Sequence, residues 1–294
     1  MPEENSQRAA LSARMKSGPL VVAPGIYDMI STLVASRMNF AALYMTGFGT
    51  VASHLGLPDA GIATYTDMVE RLARMASIAS APIIADADTG YGGMINVHHT
   101  VRGYERAGAA AIQIEDQEFP KRCGHLAGKQ LCTANEMVRR IKVAVDARRH
   151  DDTLVIARTD ARSVLGLDEA LRRAETYADA GADALFIEAP ESEAEMARIG
   201  ATFDKPLIAN MAAGGRTPLV GQERLAQMGY RVAIYPGHGF LAAAHAAERS
   251  YRAVKDDDCA AQAAVPLYDL AAFAEILGYR DVETIAERYP VDAV

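Results

Sequence analysis

The chain has 294 residues, half of them hydrophobic and 23% charged, which suits one large domain with a well-buried core and excludes a disordered or fibrous protein. A formal net charge of −8 argues against nucleic acid or an anionic membrane as a partner, but not against a small anion, since a metal and a few arginines reverse the field locally. Cys123, Cys132 and Cys259 are too scattered for a disulfide framework or a CxxC metal pair, and no signal-peptide order or run of about 18 apolar residues is seen, so a reduced, cytoplasmic protein is expected.

Met1 to Lys16 is polar and predicted to be helical. Short apolar runs then alternate with longer amphipathic stretches. The runs are Leu20–Ala23, Ala41–Met45, Ile83–Ala85, Ala111–Ile114, Leu154–Ala157, Ala184–Ile187, Leu207–Ala209 and Val232–Tyr235. Runs this short read as strands buried on both faces, as a parallel sheet requires. Helix-length segments lie between them, among them Thr66–Ala79 and Asp168–Ala180, the latter with Asp168 as a start cap and Gly181 as a stop. After Val254 come a charged hinge, Lys255–Asp258, and an amphipathic helix, Tyr268–Leu277.

Eight strands alternating with helices fit a barrel or a long doubly wound sheet. The barrel is favoured because nearly every strand runs into a polar residue at its C-terminal end: Thr46, Asp86 and Asp88, Glu115, Arg158, Glu188, Asn210 and His238. A barrel gathers such ends around one mouth. The expectation is therefore one (β/α)₈ domain over residues 1–294, with a helical tail from about residue 256. Gly90-Tyr91-Gly92-Gly93 fits neither GxGxxG nor a Walker motif, so nucleotide binding has no support.

The densest chemical signal is Asp86-Ala87-Asp88, leaving a buried strand into a glycine-rich loop, with Glu115-Asp116 at the end of the next strand. Residues i and i+2 share a face while strand geometry lasts. Hard carboxylate oxygens in a partly apolar mouth suit Mg²⁺, with Mn²⁺ as a substitute. Lys121-Arg122-Cys123-Gly124-His125 follows in a loop. A cysteine beside two cations and close to a histidine has a usable thiolate fraction, and serves as a nucleophile or as a proton donor to a carbanion. Arg158 at a strand end can clamp a carboxylate at two points, or pair with Glu188. His238, in Pro236-Gly237-His238-Gly239, falls where the eighth loop meets the site.

The ordered set Thr46-Gly47, Leu57-Pro58-Asp59, Asp86-Ala87-Asp88, Ile114-Glu115-Asp116-Gln117, Lys121–His125, Ala157-Arg158-Thr159-Asp160 and Glu188-Ala189-Pro190 resembles the isocitrate lyase/phosphoenolpyruvate mutase superfamily over nearly the whole chain. The resemblance implies a (β/α)₈ barrel whose last helix is exchanged between subunits, giving dimers that pair into tetramers. It also implies Mg²⁺-dependent chemistry on a small carboxylic acid. Asp88 would bind the metal directly, and Asp86 and Glu115 largely through water. Tyr44, Arg158 and the backbone of Thr46 and Gly47 would hold an α-oxo-carboxylate. Cys123, with His125 beside it, would be the acid/base on a gating loop. Glu188 and Asn210 would line a second carboxylate's pocket, and Asp59 and Gly124 complete the expected substrate contacts.

Cys123-Gly124-His125 resembles the carbon–carbon lyase branch of 2-methylisocitrate and 2,3-dimethylmalate lyases. Leu126 stands where the former carry an arginine, which favours a dicarboxylate. Gly237-His238 resembles an oxaloacetate decarboxylase branch instead. Three readings are therefore open: a lyase cleaving a substituted 2-hydroxy dicarboxylate, an oxaloacetate hydrolase or decarboxylase on the same scaffold, and a non-catalytic metabolite-binding barrel.

Overall fold

The computed structural model describes residues 2–124, 128–257 and 259–290. Eight strands form: β1 (Val21–Ile26), β2 (Leu43–Met45), β3 (Ile83–Asp86), β4 (Ala109–Glu115), β5 (Leu154–Thr159), β6 (Ala184–Ile187), β7 (Leu207–Asn210) and β8 (Tyr230–Tyr235). They close in sequence order into a barrel, every pair parallel, with β1 meeting β8 from Val21 opposite Val232 to Pro24 opposite Tyr235. All eight predicted runs are strands.

Alternation along the strands sorts side chains into two apolar layers. Val21, Ala23, Tyr44, Ile84, Ala111, Leu154, Ile156, Ala184, Phe186, Ile208, Val232 and Ile234 form an inner cluster. Their chain neighbours, such as Leu43, Ile83, Ile112, Val155 and Leu185, pack outward with buried helix residues such as Met68, Leu72, Ile141 and Tyr177. A helix at Pro2–Ser17 gives Leu11 and Met15 to the inner cluster and so stoppers the end where the strands begin. All seven residues of β4 are buried, as a strand covered on both faces demands.

The helices start where short polar side chains can take up their first N–H groups. Thr64 accepts from Asp67 N, and the Asp67 side chain answers the Thr64 backbone, at the helix Tyr65–Ala76; Thr133 and Ser192 cap Ala134–Ala147 and Glu193–Thr202. One expected cap is corrected. After β5 a short helix, Arg162–Leu165, precedes the helix Leu167–Asp179, whose N-cap is Gly166, at φ 91°, while Asp168 lies inside the first turn and pairs with Arg198 at 2.6 Å. Only a residue without a Cβ enters a helix comfortably from that conformation. Gly181, at φ 106°, follows the other end as expected.

The chain divides into two compact units, Met1–Phe240 and Leu241–Val294. The boundary falls inside the helix His238–Lys255 rather than near residue 256. Within the second unit, the amphipathic segment forms the helix Leu270–Ile276, capped by Asp269, followed by Tyr279–Arg288. Among the described residues no helix is long and apolar enough to cross a membrane.

Candidate active site

In six of the eight strands, β2 to β7, the inward parity carries past the apolar part and delivers one polar residue to the mouth. Ala42 and Tyr44 lead to Thr46, Ile84 to Asp86, Ala111 and Gln113 to Glu115, Leu154 and Ile156 to Arg158, Phe186 to Glu188, and Ile208 to Asn210. All six are buried. The same parity turns Asp116 the other way, so Glu115 and Asp116 separate.

Asp86 is held from several sides. Its Oδ1 accepts from Asp88 N at 3.1 Å and from Gln113 Nε2 at 3.2 Å, and its Oδ2 from Gly47 N at 3.3 Å. Gln113 in turn accepts from the Tyr44 hydroxyl at 3.1 Å. A Cβ on Gly47 would stand 2.7 Å from Asp86 Oδ2, so this backbone reaches the carboxylate only as glycine. Beyond β3 strand geometry ends at once: Asp88 adopts φ 49°, a conformation that costs about 1–3 kcal/mol for most residues. The turn is fixed by Glu115 N donating to Asp88 O at 2.9 Å, and from behind by Tyr104, whose hydroxyl donates to Asp86 O at 3.3 Å.

Lys121 answers part of this charge. Its Nζ pairs with Asp59 and with Asp88 Oδ1, the latter at 2.7 Å, and all three side chains are buried. Burial opposes the ammonium charge, but Asp88, Asp59, Glu115 and Asp86 together hold its pKa well above the usual value. The carboxyls remain under-compensated. Burial, then Asp88, raises Asp86; burial outweighs Lys121 to raise Asp88; burial raises Glu115 well above the ordinary range despite Arg158.

Arg158 sits among three carboxylates. Nε donates to Asp160 Oδ2 at 3.0 Å and lies 3.4 Å from Glu115 Oε2; Nη2 donates to Asp160 Oδ1 at 3.2 Å and lies 3.3 Å from Glu188 Oε2. Its guanidinium stacks 5.1 Å from the Phe186 ring centre. Burial works to raise Asp160, but Arg158 and Lys129 outweigh it and hold the carboxyl at about 2. Glu188 accepts from Ala189 N at 2.8 Å and from Asn210 Nδ2 at 3.1 Å. Of the two readings of Arg158, the pair with Glu188 is present, at the mouth.

The loop carrying Cys123 rises from a pinned base. Glu118 N donates to Gln130 O at 2.8 Å, Cys132 N to Asp116 O at 2.9 Å, and Gln117 exchanges two bonds of 2.9 Å with the Arg122 backbone. Cys123 is half-buried. Gly124 lies directly on the site: a Cβ there would be 2.2 Å from Arg158 Nη2 and 2.9 Å from Glu188 Cγ. Lys129 Nζ donates to Gly124 O and, at 2.8 Å, to Asp160 Oδ1. His125 and Leu126 lie outside the described residues.

Asp116 faces outward into a buried polar knot. Its Oδ2 accepts from Thr159 Oγ1 at 2.7 Å, Tyr177 Oη at 2.8 Å and Arg173 Nη1 at 3.1 Å, and its Oδ1 from Asp160 N at 2.9 Å. The structure therefore removes Asp116 from the acidic cluster beside which the Glu115-Asp116 pair was expected to stand. His238 also stands apart: it is exposed at the start of the helix His238–Lys255, its ring 5.2 Å from that of Tyr235, and among the described residues no contact joins it to the carboxylates. Asp59, counted with the substrate contacts, spends its carboxylate on Lys121.

Sequence reasoning missed Gln113, Lys129 and Asp160 as parts of the site. The parity of β4 pointed to Gln113, a polar residue two before Glu115 on a strand otherwise apolar. Asp160, two residues beyond Arg158, repeats the i, i+2 logic applied to Asp86 and Asp88. Nothing local marked Lys129, because one partner is a backbone carbonyl and the other, Asp160, is remote in sequence.

A family model described as phosphoenolpyruvate phosphomutase matches residues 11–255. The chain is 44% identical to 2,3-dimethylmalate lyase of Eubacterium barkeri, over 96% of this chain and 97% of that protein. It is 42% identical to 2-methylisocitrate lyase of Aeropyrum pernix, over 90% and 85%. Among solved structures it is similar to oxaloacetate acetylhydrolase in complex with 3,3-difluorooxalacetate, with a TM-score of 0.89, 34% identity and coverage of 98% and 99%. It is also similar to phosphonopyruvate hydrolase in complex with oxalate and Mg²⁺, with a TM-score of 0.84, 31% identity and coverage of 96% and 99%.

Proposed function

The chain belongs to the PEP mutase/isocitrate lyase superfamily, and on that premise we propose that it is a divalent-cation-dependent carbon–carbon lyase that cleaves a substituted 2-hydroxy dicarboxylate of the 2,3-dimethylmalate type to pyruvate and a small acid. The observation that carries the proposal is the seat of Gly124 against Arg158 and Glu188, which brings the Cys123 loop over an acidic cluster.

The cluster fits Mg²⁺, with Mn²⁺ as a substitute. Among the described residues Glu115 Oε1 is buried without a hydrogen-bond partner, while Asp88 Oδ1 is met by Lys121 Nζ at 2.7 Å. Carboxyls pushed upward by burial are short of positive charge. Mg²⁺ takes one or two carboxylates directly and keeps several waters. Asp88 would hold it directly, Asp86 and Glu115 through water. When bound, the cation supplies positive charge to the oxygen anion that develops at C2.

The chain's own residues do the rest. Arg158, with Tyr44 and the backbone of Thr46 and Gly47, binds and orients the C1 carboxylate; Glu188 and Asn210 border the second. The 2-hydroxyl loses its proton to the acidic cluster, the C2–C3 pair passes to C3 and its carboxylate, and the Cys123 thiol returns a proton to C3. Lys129 is committed to Gly124 and Asp160, and Leu126 offers no donor, which supports a dicarboxylate over a tricarboxylate. Assembly as helix-exchanging dimers that pair into tetramers belongs to the same proposal and is read by light scattering.

The test is product release from 2,3-dimethylmalate, 2-methylisocitrate and oxaloacetate, with Mg²⁺ and with EDTA. Pyruvate from dimethylmalate that vanishes in EDTA and in Asp88→Asn is expected; full activity in EDTA ends the metal assignment. A second reading, oxaloacetate hydrolysis, has support in the likeness to oxaloacetate acetylhydrolase, and oxalate release would favour it. No turnover of any acid would leave the metabolite-binding reading.

A further inference from the structure

Lys129 is a buried lysine on a loop, its side chain 2% exposed. Burying an ammonium is costly unless its bonds are met, and here they are met by two acceptors of different kind. One is the Asp160 carboxylate at 2.8 Å, the other the backbone carbonyl of Gly124. Asp160 also receives Nε and Nη2 of Arg158, so through it Lys129 is tied to that arginine. The bond to Gly124 is the informative one, because Gly124 is the residue after Cys123. On its other side Gly124 has no slack, with Arg158 and Glu188 filling the space a Cβ would take. Lys129, Asp160 and Arg158 therefore form a continuous brace from the carboxylate-binding arginine to the peptide next to the thiol.

We infer that Lys129 is a positioning residue for Cys123, setting where the thiol stands relative to a substrate held by Arg158; this rests on the lyase reading above. A displacement of about 1 Å at a reacting group costs on the order of 10²-fold in rate. Lys129→Met keeps the length of the side chain and removes its donors. Its kcat is expected to fall about 10²-fold with KM within about threefold.

A double-mutant cycle distinguishes positioning from mere support. In a Cys123→Ser background the thiol is gone, and Lys129→Met should cost less than about threefold more. Losses that multiply overturn the inference. A second measurement stands apart from turnover: alkylation of Cys123 by iodoacetamide, followed by mass spectrometry in the intact protein. Its rate is expected to change at least about fivefold in Lys129→Met, and an unchanged rate overturns the inference. Should Cys123→Ser retain full activity, the lyase reading fails while alkylation still decides the placement. If Lys129→Met does not fold, Lys129→Gln takes the same measurements.

Discussion

Asp116→Asn probes the division of labour at the end of β4. The carboxylate accepts four hydrogen bonds, three at Oδ2 from Thr159, Tyr177 and Arg173 and one at Oδ1 from Asp160 N. An amide offers one acceptor oxygen and a donor nitrogen of nearly the same shape. With the nitrogen toward Oδ2, Arg173 Nη1 faces a donor and keeps the Cys132 carbonyl and, at 3.5 Å, the Tyr177 hydroxyl, besides its Nε bond to Glu169. With the nitrogen toward Oδ1, the Asp160 N–H is orphaned in the interior. Either way a buried charge pair is broken, a change that costs about 3–5 kcal/mol. At about 2–4 °C per kcal/mol for a domain of this size, Tm should fall by roughly 6–20 °C in scanning calorimetry. The Mg²⁺ concentration for half-maximal activity should stay within about threefold, because the side chain lies on the outer face of the strand. A Tm within about 2 °C of wild type, together with a tenfold weaker Mg²⁺ requirement, would refute the argument and return Asp116 to the acidic cluster.

Three further outcomes are expected. Cys123→Ser should bind substrate nearly normally and lose cleavage about 10²–10⁴-fold, the range of a general acid–base contribution; turnover within about threefold of wild type would remove the thiol from the reaction. On one preparation, kcat/KM for 2,3-dimethylmalate should exceed that for 2-methylisocitrate by at least about tenfold, which needs only roughly 1.4 kcal/mol of differential binding; equal values would mean another cation does the missing arginine's work. Burial raises the Cys132 thiol to about 11, so at pH 8 only roughly one molecule in a thousand carries its thiolate. A disulfide reagent should modify exposed Cys259 first and Cys132 last, with the Cys132 rate climbing as pH rises toward 11; early labelling of Cys132 would contradict its burial.

The barrel was legible because nearly every strand is a short apolar run followed by a polar residue, and closed parallel sheets leave few other arrangements for eight of them. Glu115, Arg158, Glu188 and Asn210 were legible for the same reason, as continuations of an inward-facing alternation. What escaped depended on the two halves of a local pattern diverging. Asp116 sits one residue from Glu115 and shares its chemistry, yet a period of two sends it to the helix Leu167–Asp179. Lys121 read as a cation serving Cys123, and Lys129 as a cation of the same loop, because Asp59, Asp88 and Asp160 reach them only after folding. Asp168 read as a cap because the preference for acidic residues covers both the cap and the first turn, while Gly166 announced itself only through a positive φ.

Seven of the eight strand pairings join neighbours in the chain, and only β1 with β8 joins segments some two hundred residues apart. During synthesis, which proceeds at about 5–20 residues per second, the growing sheet therefore carries two raw edges for many seconds, one of them always β1. An apolar parallel edge is a template for any passing strand. The acidic centre and its arginine lie on β3, β4 and β5 and so emerge before the ring can close, exposing carboxylates that the finished protein buries.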